Sequence, residues 1–229
     1  MSEIAAISKT QVDRLGDRLR KSFLSDADLR TLDDYRRSFG GAYEEVVRTI
    51  REKLNLEPTG RPAKSTSSIV EKLHRESIRL SQVQGIAGCR IVVGDTHEQN
   101  RVTYLLQRIF PSASLVDRRI HPSYGYRAVH MIIKILGKLI EVQIRTELQH
   151  LWAELSEKFS DKIDPTIKYG GGDKEIQKLL SSFSGLVKHY EEVEKKISTV
   201  RKSSALQVQM NDLKRGITNL INKHTNLFT

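Results

Sequence analysis

The chain has 229 residues, 38 Lys and Arg against 28 Asp and Glu, a net charge of +10 and 38% hydrophobic residues. That apolar share supports a packed core and excludes global disorder. No apolar run approaches the roughly 18 residues of a membrane helix, no charged apolar leader opens the sequence, and one cysteine, Cys89, excludes a disulfide framework or a cysteine-cluster zinc site; a cytoplasmic protein without membrane partners is expected.

The positive excess is +3, +3 and +4 over residues 1–80, 81–160 and 161–229. It forms no basic tail, so any phosphate site must come from local geometry. Leu15, Leu19 and Phe23 recur at helical spacing, as do Leu29, Leu32, Tyr35 and Phe39. Asp26 is the expected N-cap of the second helix, with Asp28 in its first turn. Gly40-Gly41 is expected to break the pattern before a third stripe through Tyr43, Val46, Val47, Ile50 and Leu54.

Residues 56–67 carry two prolines and a glycine and read as a loop. A helix from Ser67 to Leu80 is predicted, with Ile69, Leu73 and Ile78 inward and Lys72, Arg75 and Arg79 sharing a face. Arg61, Lys64, Ser65, Ser68 and Lys72 gather cations and hydroxyls around that helix start. Polyphosphate recognition uses such an array, although a solvated basic helix has the same composition.

Ile91-Val92-Val93 reads as a strand beside Arg90, and residues 97–109 as a helix stopped by Phe110-Pro111. Strands are predicted over Leu115–Ile120 and Arg127–Leu136, with a tight turn at Gly137-Lys138. Leu139–Arg145 then alternates, placing Glu141, Gln143 and Arg145 on one face and Ile140, Val142 and Ile144 on the other. Thr146 is an N-cap candidate with Gln149 completing a capping box. The helix it opens carries Leu148, Leu151, Trp152 and Leu155 on its apolar side and His150, Glu154 and Lys158 along another. A carboxylate at this strand–helix junction can hold a cation or take a hydroxyl proton; a surface strand shows the same alternation. Tyr126 and His130 share a face, and an exposed aromatic there can stack on a base with Arg127 nearby for phosphate.

Tyr169-Gly-Gly-Gly-Asp173 marks a flexible break. A near-heptad stripe follows through Ile176, Leu179, Phe183, Leu186, Tyr190, Val193, Ile197 and Val200, and resumes after Ser203-Ser204 with Leu206, Met210, Leu213, Ile217 and Leu220. These are two long helices or one, packing on the core or on a partner. The expected organisation is N-terminal helices over 1–40, a core over 41–165 and a helical extension over 173–229, an α+β fold.

Several ordered segments resemble one family. Gly125-Tyr-Arg-Ala-Val-His130 resembles the Gly-Tyr-Arg-Ser-Leu-His signature of the RelA/SpoT alarmone synthetase domain. Glu141-Val-Gln-Ile-Arg-Thr146 matches its Glu-(Val/Ile)-Gln-(Ile/Val)-Arg-Thr signature, Gln149-His-Leu-Trp-Ala-Glu154 matches the following helix, and Arg61, Lys64, Ser68 and Lys72 resemble its phosphate segment. The resemblance covers roughly residues 40–160. It implies a nucleotidyltransferase-like mixed β-sheet flanked by helices, here with a long helical C-terminal extension. It also implies Mg²⁺-dependent transfer of the β,γ-pyrophosphate of ATP to a ribose 3′-hydroxyl, the chemistry of guanosine tetraphosphate metabolism and the stringent response.

By the same resemblance, Arg61, Lys64, Ser68, Lys72 and Arg90 bind ATP. Glu141 is catalytic and a metal ligand, and Tyr126, Arg127, His130, Gln143, Arg145, His150 and Glu154 serve the acceptor side. Two departures stand out. Gly85 occupies the second-ligand position where the family usually has aspartate, which implies weakened metal binding and a slow or inactive enzyme. Pro122 stands where guanine-nucleotide synthetases usually have lysine. With the +10 charge, this favours a tRNA 3′-CCA end, as in toxin-like relatives with antitoxins, over GDP or GTP. A nucleotide- or RNA-binding module without catalysis is the alternative, and the last helices are candidates for self-association or antitoxin docking.

Overall fold

A computed structural model describes residues 7–21, 25–198 and 204–228, without the side chains of Arg61, Ser198, Ser204 and Phe228. Phe23, Val200 and Ser203 of the predicted stripes and breaks lie outside the described residues. Helices α1 (Lys9–Leu19), α2 (Asp26–Arg37) and α3 (Gly40–Leu54) come first. Strand β1 (Thr59–Arg61), helix α4 (Thr66–Arg75) and strand β2 (Ala87–Val93) follow. Then come α5 (Thr96–Ile109), β3 (Ser114–Asp117), β4 (Val129–Ile135), β5 (Lys138–Thr146), α6 (Glu147–Lys162), α7 (Lys174–Ser198) and α8 (Ser204–Thr225). The five strands form one mixed sheet in the order β1-β2-β5-β4-β3, flanked by helices, so the fold is α+β as expected. No described helix is long and apolar enough to cross a membrane.

Local chemistry moves several predicted boundaries. Ser25, not Asp26, caps α2: its hydroxyl accepts from the Asp28 amide while Asp28 answers toward the cap backbone. Gly40 and Gly41 open α3 instead of breaking the chain, because Phe39 continues in helical geometry. The helix from Ser67 stops at Arg75, where Glu76 turns extended, so Ile78 lies outside it. Residues 59–61 are not loop but an edge strand, antiparallel to β2 with Thr59, Gly60 and Arg61 opposite Arg90, Cys89 and Gly88. The predicted Leu115–Ile120 strand ends at Asp117, and Ile120 is exposed. The turn falls at Leu136-Gly137, both with positive φ, which leaves Lys138 to begin β5.

The chain divides into two compact units. The first comprises residues 1–91, 110–114 and 131–143. Its core gathers Leu15 and Leu19 of α1, Leu32 of α2, Ile50 of α3, Ile69 and Leu73 of α4, and Ile86, Ile91, Met131, Ile133, Ile140 and Val142. Burying each such aliphatic side chain contributes about 1.5–3 kcal/mol. Lys138 is held at the Tyr35–Phe39 corner, its ammonium 4.8 Å from the Phe39 ring centroid, 5.3 Å from that of Tyr35 and 2.7 Å from Ser38 Oγ.

The second unit comprises residues 92–109, 115–130 and 144–229. Here α6, α7 and α8 enclose Leu148, Trp152, Leu155, Phe159, Leu180, Phe183, Val187, Tyr190, Ile217 and Ile221. The buried stripe of α7 keeps Phe183 and Tyr190 of the expected positions and widens to one side. Leu180, Ser184, Val187 and Glu191 are inside, whereas Leu186 is exposed. On α8, Leu206, Leu213 and Leu220 are exposed and Ile217 and Ile221 carry the contact.

Candidate functional site

The predicted site residues fall into two groups, one in each unit, and each is described by itself. The first group is built around β5 and the segment leading into β2. Glu141 and Gln143 lie two apart on β5, so period-two alternation puts them on one face. Gln143 Nε2 donates to Glu141 Oε2 at 3.3 Å and orients the carboxylate. Gly85 lies against that same oxygen: with φ +76, a Cβ there would stand 2.7 Å from Glu141 Oε2. Glycine adopts this left-handed geometry without a steric penalty.

The backbone beside Gly85 is pinned on both sides. Lys72 Nζ donates to the Gln84 carbonyl at 3.0 Å, and the Lys64 amide donates to the Ile86 carbonyl. Lys72 reaches this point because α4 turns it toward the segment while Ile69 and Leu73 are buried on the other side. Ser65 caps α4, accepting from the Ser68 amide at 3.3 Å and bonding the Ser68 hydroxyl at 2.9 Å. Arg90 is half-buried on β2, opposite Thr59 of β1. The Arg61 side chain lies outside what is described. Glu141, Gln143, Gly85, Lys64 and Lys72 are therefore neighbours within one unit.

Among the described residues, no group of three His, Cys, Asp or Glu can hold a metal ion. Among the described residues Glu141 is the carboxylate that Gly85 faces, and Mg²⁺ binds through as few as one carboxylate when substrate phosphates and water complete its shell. These residues fit an ion that arrives with a polyphosphate; they do not fit a resident ion held by the protein alone.

The second group centres on Tyr126. Its hydroxyl lies 2.8 Å from His130 Nε2 and accepts from Arg145 Nη2 at 2.9 Å. The Arg145 guanidinium also lies 5.0 Å from the Tyr126 ring centroid, and the ring packs near Trp152 with centroids 6.5 Å apart. Tyr126 and His130 share a side as expected, although β4 begins only at Val129. Arg145 is buried. Arg127 turns elsewhere, donating to the Arg119 carbonyl at 2.9 Å and to Ser184 Oγ at 3.3 Å, and burial lowers its pKa. His150 and Glu154, one helical turn apart on α6, pair at 3.4 Å.

Gly125 allows this arrangement. At φ +89 its backbone passes so close to Trp152 and Ser184 that a Cβ would stand 2.9 and 3.2 Å from them. Tyr124, at φ 51, is 61% exposed and lies against Gly170. It is the aromatic ring most open to a ligand in this segment, a role assigned from sequence to Tyr126. Ser184 and Glu191 were missed because they sit on a helix read as an apolar stripe. The row Leu180, Ser184, Val187 and Glu191, at alternating spacings of four and three beside that stripe, was the available signal.

Residues 60–163 match the family model described as "Region found in RelA / SpoT proteins". The chain is 37% identical over 114 residues to an uncharacterized protein of Mycobacterium tuberculosis (strain ATCC 25618 / H37Rv), covering 47% of this chain and 41% of that protein. It is 33% identical over 131 residues to GTP pyrophosphokinase YjbM of Bacillus subtilis (strain 168), covering 48% of this chain and 60% of that protein. The chain thus spans 41% of the length of the first curated relatives it matches. The fold is similar to the crystal structure of small alarmone synthetase 1 from Bacillus subtilis bound to its product pppGpp. The TM-score there is 0.56, with 24% identity, over 76% of this chain and 98% of that chain.

Proposed function

We propose, from the match of residues 60–163 to the RelA/SpoT region, that the chain transfers the β,γ-pyrophosphate of ATP to a ribose 3′-hydroxyl of GDP or GTP. The observation that carries this reading is the Glu141 carboxylate, oriented by Gln143 and set beside a backbone that Lys64 and Lys72 hold.

Lys64, Lys72, Arg61 and Arg90 receive the donor phosphates, helped by the amides at the start of α4 and the Ser68 hydroxyl. Glu141 takes the proton from the acceptor hydroxyl as its oxygen bonds to the β-phosphorus of ATP and AMP leaves. Gln143 keeps the carboxylate pointed, and lysine and arginine charge offsets the negative charge that develops. Mg²⁺, when bound with the nucleotide through Glu141, supplies further charge neutralisation. Tyr126, set by His130 and Arg145, serves the acceptor base, with Arg127, His150 and Glu154 orienting the groups around it.

A tRNA 3′-end is the second acceptor reading. Pro122 in place of lysine and the open ring of Tyr124 support it, because stacking on an exposed aromatic accepts any base. Incubation with ATP labelled at the γ-phosphate and GDP, GTP or tRNA tests both. Labelled guanosine tetra- or pentaphosphate supports the first, and labelled tRNA the second. Label on neither acceptor, with ATP bound, would leave a binding module. Glu141→Gln should abolish transfer while retaining ATP.

A further inference from the structure

We infer that Glu191, on the C-terminal helix α7, is a positioning residue for the Arg145–Tyr126 pair; the inference rests on the proposed acceptor role of that pair.

Glu191 is 5% exposed, on a helix face it shares with Leu180, Phe183, Ser184, Val187 and Tyr190. Its Oε1 accepts from Thr146 Oγ1 at 2.9 Å and from Gln149 Nε2 at 2.8 Å. Thr146 and Gln149 are the two halves of the α6 capping box, each bonding the other's amide at 3.2 Å. A capping box satisfies those amides without outside help, so the cap alone does not call for a buried carboxylate. Burying one costs several kcal/mol before partners repay it, and the partners here are the buried Thr146 hydroxyl and Gln149 side-chain amide.

What the carboxylate adds is a fix on the strand end. Ile144, Arg145 and Thr146 are consecutive. Gln99 Nε2 of α5 holds the Ile144 carbonyl at 2.8 Å and the Gln149 side chain at 2.8 Å. Glu191 holds the Thr146 hydroxyl. Arg145 is thus gripped on both sides along the backbone, and its guanidinium meets the Tyr126 hydroxyl and ring. The same helix reaches the segment just before Tyr126, where Ser184 Oγ donates to the Gly125 carbonyl at 2.7 Å. The charged groups acting on Glu191 are Arg127, which favours its ionised form, and Glu194, which opposes it.

The test uses the full chain with Glu191→Ala and Glu191→Gln. Gln keeps an acceptor oxygen for Thr146 and Gln149, and Ala does not. Steady-state kinetics should show the acceptor KM rising about tenfold in Glu191→Ala, the loss of roughly one positioning hydrogen bond, with the ATP KM nearly unchanged and Gln restoring the parent value. NMR of the unliganded protein should show the Arg145 side-chain N–H signals displaced in Glu191→Ala. The indole N–H of Trp152, bonded to the Leu180 carbonyl of α7 at 2.8 Å, should stay in place. An unchanged Arg145 signal in Glu191→Ala, failure of Gln to restore it, or joint loss of the Arg145 and Trp152 signals would each overturn the inference. If the parent transfers to no acceptor, the functional reading fails, yet the two NMR signals still decide the role of Glu191.

Discussion

Gly85 faces the tip of the Glu141 side chain: a Cβ at Gly85 would lie 2.7 Å from Glu141 Oε2, which would have to move aside. Gly85→Asp therefore has a defined cost. The left-handed backbone penalises an L side chain by about 1–2 kcal/mol, and two carboxylates at this distance repel. The variant should melt below the parent, and millimolar Mg²⁺ should raise its Tm by binding between the paired carboxylates. The parent should show little response. Thermal unfolding with and without the metal decides it, and an equally stable, Mg²⁺-indifferent Gly85→Asp would contradict the geometry.

Tyr126→Phe removes the hydroxyl that joins His130 to Arg145. A lost hydrogen bond of this kind costs about 0.5–1.5 kcal/mol. Denaturant unfolding should register that loss, and acceptor affinity should fall more than ATP affinity in calorimetric titrations. Equal weakening of both ligands would refute the separate acceptor role.

Lys138→Met removes a cation held against two aromatic rings and the Ser38 hydroxyl. The expected destabilisation is about 1–2 kcal/mol, with ATP binding unaltered. Urea melts of both proteins measure the first part, and a change in ATP affinity would disprove the second.

Burial pushes the Cys89 thiol up to about 12. A thiol reagent at pH 8 should therefore leave the native protein unmodified and label it fully once unfolded. Rapid native labelling would show that β2 opens.

Burial also raises the pKa of the Glu191 carboxyl, against its hydrogen bonds with Thr146 and Gln149 and the charge of Arg127. The folded state then keeps this proton to a higher pH than the unfolded chain. Its stabilising share is full below the unfolded pKa and disappears as pH rises through the folded value. Glu191→Gln escapes that loss, so its Tm relative to the parent should improve as the pH is raised from just above the ordinary carboxylate value of about 4.3 to about pH 8. A Tm difference independent of pH would show that Glu191 titrates normally.

Much of the fold was legible because its signals are local. The alternation of Leu139–Ile144 and the Thr146–Gln149 capping box need only neighbouring residues, and both appear as read, while Arg145 departs from the pattern by being buried. The failures are places where distant chain decides. Thr59–Arg61 has no strand-like composition and becomes a strand by pairing with β2. Gly40-Gly41 looks like a break until Phe39 continues the helical path. Leu186 fits a heptad and still faces outward, since α7 turns Ser184, Val187 and Glu191 inward. At the site, Glu141 with Gln143 and Tyr126 with His130 followed from period-two spacing. Lys72 on the Gln84 carbonyl and Glu191 on Thr146 did not, because those partners lie 12 and 45 residues apart.

The bond from the Trp152 indole to the Leu180 carbonyl bears on how this protein can be dissected. A version trimmed to residues 60–163 would strand an indole donor and strip Leu148, Trp152 and Phe159 of their cover. Such a fragment should be sticky and poorly behaved in expression trials, so any minimal unit worth crystallising or fusing has to carry α7 along with it.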